Sequence, residues 1–312
     1  MDLFLITFQS VIVLLALGAL GFLIIQRKII PEQALGVLSP LALEIALPCL
    51  IFSNIITTFS PENSPDWWLL PGWWLVFTVY ALVFTLGARY LSAKGTRREF
   101  AVSLFYQNAL FFPIAILTGM FGGNSPYLVS LFLFALFFAP FLFNSYYFFF
   151  GKSLKEIQWR KIVHPVLVAT LVAVGFRLVG AQVLIPDFAL SFFQLVGAMT
   201  VPLIMLYLGG SMYADFRRRE KIQRLEIVKF VVMKNVMLPV VFLGVLLVVR
   251  PGYMVALLLM LQSVVPPVTA IPLLVGRVDG NQAIVNQFVV TSFLCSLITI
   301  PVFLGVFSVF FS

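Results

Sequence analysis

The chain has 312 residues, of which 62% are hydrophobic and only 10% are charged. An ordinary soluble domain is about one quarter charged, so this composition excludes a soluble globular protein. The formal charge of +8 comes from basic residues in short loops between apolar segments, a pattern that is typical of membrane proteins and excludes nucleic-acid binding. Cys49 and Cys295 lie inside apolar segments without metal-ligand spacing, and we interpret both as buried apolar side chains.

Apolar segments long enough to cross a bilayer as helices recur along the whole chain. The first follows the start Met1-Asp2-Leu3-Phe4, which lacks the basic residues and the cleavage site of a signal peptide, so we expect it to be a retained span. The predicted spans of the first half are Leu3–Ile25, Ala34–Thr58, Leu69–Leu91, Phe100–Phe121 and Tyr127–Phe150. Those of the second half are Ile162–Val179, Phe188–Met212, Ile227–Val249, Tyr253–Val275 and Ala283–Phe311.

These segments predict an all-α polytopic membrane protein with ten transmembrane helices, five in residues 1–154 and five in residues 155–312. Every second loop is basic, which places those loops inside and both termini outside. We expect the chain to lie in a bacterial inner membrane. The basic loop residues are Arg27, Lys28, Lys94, Arg97, Arg98, Lys152, Lys155, Arg160, Lys161, Arg217, Arg218, Arg219, Lys221, Arg224 and Arg277.

One sequence offset relates the two halves. Pro48 and Pro202 are 202 − 48 = 154 positions apart, and Pro113 and Pro267 are 267 − 113 = 154 positions apart. Because each half holds an odd number of spans, the second half enters the membrane from the opposite side, which predicts an inverted repeat. The alternative is a chance match between common residues.

Spans four and nine both place amides before prolines. A proline in a membrane helix frees backbone groups, which then need protein, water or ligand as partners. If these helices unwind there, the following half-helices present N–H groups and positive dipole ends that suit a carboxylate. The alternative is a pair of kinked, continuous helices. The predicted substrate-binding residues here are Gln107, Asn108, Pro113, Gln262, Ser263, Pro266, Pro267 and Thr269.

Two ionisable residues lie within apolar spans, where charge is costly and points to function. Lys234 is predicted to bind a substrate carboxylate, and Glu44 is predicted to take up the coupling proton or cation. The alternative for Lys234 is a side chain that extends to the inner interface, and for Glu44 a structural hydrogen bond or ion pair. The sequence carries no nucleotide-binding loop, catalytic triad or metal-ligand cluster, so we expect no cofactor, no metal site and no enzyme activity.

Several of these features resemble the auxin efflux carrier family: the ten spans in two inverted fives, Leu47-Pro48, the broken spans four and nine, and the ending Thr291–Pro301. The resemblance implies a fold shared in outline with bile acid sodium symporters. Spans one, two, six and seven would form a scaffold, and spans three to five and eight to ten a mobile transport unit in which spans four and nine cross.

The resemblance also implies a homodimer and small organic anions such as malonate, malate or auxin as substrates. Asn108 with Pro113 and the stretch Ser263–Pro267 would form the crossover site. The chain departs from the family pattern near the first crossover, where Ala109, Leu110 and Phe112 replace glycines, and at the second, which has a double proline.

The sequence therefore predicts a secondary transporter of small organic anions that works by alternating access and is coupled to H⁺ or Na⁺. A sodium-coupled symporter of the bile acid type is the alternative mechanism. A membrane sensor or an intramembrane enzyme that uses Glu44 or His164 is the alternative of another class.

Overall fold

The computed structural model describes residues 3–152, 164–217 and 222–311, and within these ranges every regular element is a helix. This result confirms the predicted all-α class. The helices are α1 Leu3–Gln26, α2 Glu32–Thr58, α3 Trp67–Leu91, α4 Arg97–Phe105, α5 Phe111–Phe121, α6 Pro126–Phe150, α7 Pro165–Leu178, α8 Asp187–Ala198, α9 Thr200–Arg217, α10 Arg224–Val249, α11 Tyr253–Val264, α12 Ile271–Gly276 and α13 Gln282–Phe310.

Within the described residues, each predicted span lies on one helix or on two consecutive helices; the first two residues of the span Ile162–Val179 lie outside them. Within the described residues, six helical stretches are long and apolar enough to cross a membrane: α2, α3, α6, α8 with most of α9, α10 and α13. Shorter apolar helices of 10–17 residues are α5, α7, α11 and the part of α1 from Val11 to Gln26. The chain is therefore an integral membrane protein, while the number of ten crossings remains a prediction. The predicted basic loops at positions 153–163 and 218–221 lie outside the described residues.

Helices α2 and α10 each contain one widened π-turn, at Leu41–Ala46 and Val232–Met237. A leucine-proline pair directly follows each turn. Proline has no N–H group and its ring clashes with the carbonyl one turn earlier, so the helix accommodates it by widening locally. Both predicted ionisable residues, Glu44 and Lys234, lie in these turns.

The backbones of α1 and α9 are in close contact because glycines, which have no side chain, lie between the two helices. A Cβ atom built on Gly209 would lie 1.8 Å from the carbonyl oxygen of Gly18, and one on Gly21 would lie 2.3 Å from the carbonyl oxygen of Leu206. Small residues let helix backbones approach closely in a membrane, where van der Waals packing drives association. The glycines therefore join the first helix of the chain to one from its second half.

The helices form two groups by their contacts. In the first group, α2 packs against α7 and α8, and α1 packs mainly against α9. Helix α1 also contacts α5 and α13 of the second group. Helix α10 packs against α11 and α13, and α3 against α6 and α11. Helices α4, α5, α11 and α12 thus lie among α3, α6, α10 and α13, and this inner position determines the surroundings of the candidate site.

Candidate functional site

Two helix breaks meet inside the protein. Helix α4 ends at Phe105 and α5 begins at Phe111, while α11 ends at Val264 and α12 begins at Ile271. The connecting segments are extended and run antiparallel, with Gln107 opposite Pro267. Two backbone hydrogen bonds join them: Asn108 N donates to the Pro266 carbonyl at 2.9 Å, and Val268 N donates to the Tyr106 carbonyl at 3.0 Å. We call residues 106–110 and 265–270 the crossing segments.

The two helix breaks do not follow the offset of the sequence repeat. The first break begins at Tyr106 and the second at Val265, which are 265 − 106 = 159 positions apart, whereas the repeat in the sequence has an offset of 154. Asn108 therefore lies in a crossing segment while Gln262 lies in the last turn of α11, so these two amides do not occupy matching positions.

The amides of the first crossing segment cap the helix ends beside them. Asn108 Oδ1 accepts a hydrogen bond from Phe111 N at 3.1 Å and so caps the start of α5. Gln107 Nε2 donates to the carbonyls of Leu104 at 2.9 Å and Phe105 at 3.1 Å at the end of α4. The side chains thus satisfy backbone groups that the break would otherwise leave free.

Each of these two amides keeps one buried atom without a partner. Asn108 and Gln107 are 1% and 3% exposed, and neither Asn108 Nδ2 nor Gln107 Oε1 makes a hydrogen bond to any described residue. Buried polar groups are nearly always hydrogen-bonded, and an unpaired one costs about 1–3 kcal/mol. The crossing therefore offers one free donor and one free acceptor to a ligand.

The second crossing segment is anchored by α11. Gln262 Nε2 donates to the carbonyl of Ala109 at 3.0 Å, which links α11 to the opposite segment. The Ser263 hydroxyl is already bonded to the Met260 carbonyl at 2.7 Å within α11. The predicted prolines are buried: Pro266 and Pro267 in the second crossing segment, and Pro113 in the first turn of α5. Thr269 is partly exposed.

Lys234 reaches the crossing from α10. Its side chain is completely buried, and Nζ donates to the Ser263 carbonyl at 3.1 Å. That carbonyl belongs to the last turn of α11, where the helix dipole is negative and stabilises a cation. The lysine therefore does not extend to the inner interface, and the sequence alternative of an interfacial side chain is wrong.

Glu44 lies elsewhere. Its side chain is exposed on the π-turn of α2 and interacts electrostatically with His164, whose Nδ1 accepts a hydrogen bond from Val166 N at 3.3 Å at the start of α7. Among the predicted site residues, the structure thus brings together those of spans four, eight and nine, and leaves Glu44 outside the crossing.

Sequence reasoning missed Asn235, which stands next to Lys234. This amide is 1% exposed, donates to the Ser292 carbonyl at 3.1 Å and to Ser296 Oγ at 3.0 Å, and accepts from Ser292 Oγ at 2.7 Å. The sequence signal that could have found it is the pair Lys234-Asn235, which lies within an apolar run of α10. These bonds hold α10, and Lys234 with it, against α13.

The crossing is closed in this conformation. A cavity of about 20 Å³ reaches it between α3 and α6, and Gln107 and Gln262 lie in its wall. A cavity of this size holds about one water molecule, since a single probe sphere occupies roughly 10–15 Å³. A larger ligand enters only if the surrounding helices move.

The chain matches the model of a known protein family. The model of a family described as membrane transport protein matches residues 6–154 and 149–304. No protein with a curated description matches the chain. The matched ranges include both crossing segments.

Proposed function

The chain belongs to this membrane transport protein family, the auxin efflux carrier family that its sequence resembles, and on that premise we propose that it is a secondary transporter of small organic anions. The family is one of transporters and not of enzymes. Malonate, malate and auxin-like weak acids are the proposed substrates. The observation that supports this proposal is the buried crossing with its unpartnered amide donor, Asn108 Nδ2.

A carboxylate at the crossing has suitable partners. Asn108 Nδ2 is a free donor at the start of α5, and the N-terminal end of this helix carries partial positive charge. Lys234 adds a cation within the same region because it is bonded to Ser263 beside the second crossing segment. A donor, a dipole and a cation together favour an anion over a neutral or cationic substrate.

Alternating access is the proposed mechanism. Helices α1, α2, α7, α8 and α9 contact one another and would form the scaffold, and the remaining helices would form the transport unit that carries the crossing. The ten helices would form two inverted repeats of five, within residues 1–154 and 155–312. We further propose a homodimer in a bacterial inner membrane, with both termini outside.

We propose that a proton gradient drives transport and that Lys234 takes part in the coupling. Lys234 Nζ donates to a backbone carbonyl, and among the described residues no carboxylate forms a salt bridge with it, so no counter-ion holds its proton. Glu44, exposed on α2, is the second proposed coupling residue. Sodium coupling of the bile acid symporter type is the alternative, although residues 106–113 and 262–272 contain no carboxylate.

Transport into proteoliposomes tests the proposal. Uptake of labelled malonate, malate and indole acetate is measured under an imposed proton or sodium gradient, for the native protein and for Asn108→Asp. An aspartate keeps the oxygen that caps α5, removes the free N–H donor and adds a negative charge, so we expect saturable uptake to fall by about tenfold or more.

Asn281→Asp is the matched control. Asn281 Oδ1 caps α13 through Ile284 N at 3.2 Å, in the same geometry as Asn108 on α5, but at an exposed site away from the crossing. We expect this variant to transport normally. Equal uptake by the native protein and Asn108→Asp would show that the crossing segments do not bind the transported substrate. If none of the acids moves under either gradient while the protein stays folded, the anion proposal fails and the membrane-sensor alternative gains support.

A further inference from the structure

A second, larger cavity lies between α3, α4 and α6 at the end of the protein that carries Lys94, Arg97 and Arg98. Its volume is about 560 Å³, far larger than the cavity at the crossing. Basic residues surround its mouth, and apolar and aromatic residues form the deeper wall. We call it the basic cavity.

Four cations and no carboxylate line the basic cavity: Arg89, Lys94, Arg97 and Arg98. The guanidinium groups of Arg89 and Arg97 each lie 4.9 Å from the centre of the Tyr90 ring, so one aromatic ring holds both. Among the described residues, neither arginine forms a salt bridge, and the buried Nε atoms of both lack a hydrogen-bond partner. Two adjacent cations without a counter-ion favour the binding of an anion.

The loop between α3 and α4, which carries Lys94 and joins the helix ends that carry the three arginines, is fixed in place. Glu226 of α10 is buried, and its Oε2 accepts hydrogen bonds from Ser92 Oγ at 2.7 Å, Thr96 Oγ1 at 3.1 Å and Ala93 N at 3.2 Å. The loop between α3 and α4 is thereby bonded to α10. The basic mouth is a positioned group of charges and not a flexible tail.

The deeper wall is apolar. Phe105, Phe141 and Phe149 form much of it. Tyr106 and Ser145 add two hydroxyls, but these are 2.7 Å apart and bond to each other, and Ser145 also donates to the Phe141 carbonyl. The wall therefore accommodates hydrocarbon beneath a charged mouth.

The cavity also opens sideways. Leu82, Leu86 and Phe148 line it and are 37%, 40% and 48% exposed on the outer faces of α3 and α6. In a membrane protein such exposed apolar side chains face lipid. Arg89 lies in the last turn of α3 and Arg97 begins α4, so the charged mouth lies at the end of two helices, where a span meets the lipid headgroups.

From this arrangement we propose that the basic cavity binds an anionic phospholipid from the adjacent leaflet. The phosphate contacts Arg89 and Arg97, with Lys94 and Arg98 beside it, and an acyl chain lies along the apolar wall. A small dicarboxylate would reach the same cations but would leave the aromatic wall unused. The proposal does not depend on the transported substrate.

Native mass spectrometry of the purified full-length protein tests the site. The protein is mixed with phosphatidylglycerol, with phosphatidylcholine of the same acyl chains, or with glycerol 3-phosphate as the free headgroup anion. We expect retention of phosphatidylglycerol, little retention of phosphatidylcholine, and no competition from glycerol 3-phosphate at equal concentration. In the double variant R89Q/R97Q we expect binding of phosphatidylglycerol to weaken by about thirtyfold.

Two further variants make the result specific. Arg277→Gln removes one positive charge from an exposed position outside the cavity and should bind phosphatidylglycerol like the native protein. Leu86→Trp keeps all four cations but fills the apolar wall, so it should lose the lipid even if R89Q/R97Q does not fold. Unchanged phosphatidylglycerol binding in folded R89Q/R97Q, or in Leu86→Trp, would overturn the proposal. Equal competition by glycerol 3-phosphate would show a site for soluble anions and would also overturn it.

Discussion

Replacing Gly209 by alanine tests the close contact between α1 and α9. The new methyl carbon would lie 1.8 Å from the carbonyl oxygen of Gly18, 2.7 Å from its carbonyl carbon and 2.9 Å from the amide nitrogen of Phe22. All three atoms belong to the backbone of α1, so no side-chain rotation relieves the clash. Helices α1 and α9 must separate.

The size of the effect follows from these distances. Ordinary contact needs about 3.4 Å, so the helices must part by roughly 1.5 Å near Gly209, and a gap of even 0.5–1 Å loses about a quarter to a half of each dispersion contact. Overpacking of this kind typically costs about 1–3 kcal/mol. We expect Gly209→Ala to lower the free energy of unfolding by about 2–3 kcal/mol.

Gly18→Ala is the matched control, since a Cβ atom on Gly18 meets no atom within 4 Å. Because alanine has a higher helix propensity than glycine, this variant should have an unchanged free energy of unfolding or one raised by up to about 1 kcal/mol. Reversible unfolding of both variants in mixed micelles, followed by circular dichroism, measures the difference. If Gly209→Ala is as stable as Gly18→Ala, the close approach of α1 and α9 is not present in the folded protein.

Two further predictions concern α10 and the crossing. Asn235→Ala should destabilise the protein by about 1–2 kcal/mol in the same unfolding assay, because its amide loses the bonds to α13; an unchanged stability would contradict the role of these bonds. Gln262→Leu should leave the buried Ala109 carbonyl unpaired and speed hydrogen exchange of residues 106–110, and exchange at the native rate would show that this bond does not hold the segment.

Much of the helical architecture was predictable because the length of an apolar segment can be read directly from consecutive residues of the sequence. The predicted span Tyr127–Phe150 corresponds to Pro126–Phe150, and Leu69–Leu91 corresponds to Trp67–Leu91. In lipid every backbone group must be satisfied within the helix, so an apolar run of sufficient length has few other conformations available. Prolines and glycines at the ends set the boundaries to within a few residues.

The breaks were also predictable, but not their partners. The sequence placed amides beside prolines in two spans, yet Pro113 lies in the first turn of α5, and the break begins several residues earlier at Tyr106. A proline in the first turn of a helix costs little because its missing N–H would have no partner there. The break itself depends on the opposite segment, to which Asn108 and Val268 are bonded.

Hydropathy and proline act over one or two helical turns, so the order of residues along the chain was enough to predict that this protein is helical, lies in a membrane and carries polar residues at two broken spans. The packing of the helices sets which of those residues meet. It placed Lys234 on Ser263, left Glu44 exposed on α2, paired Gln107 with Pro267 and gathered Arg89 with Arg97 around Tyr90. The contacts of Lys234 with Ser263 and of Gln107 with Pro267 join different helices, and their geometry depends on how whole helices pack, which no local pattern encodes.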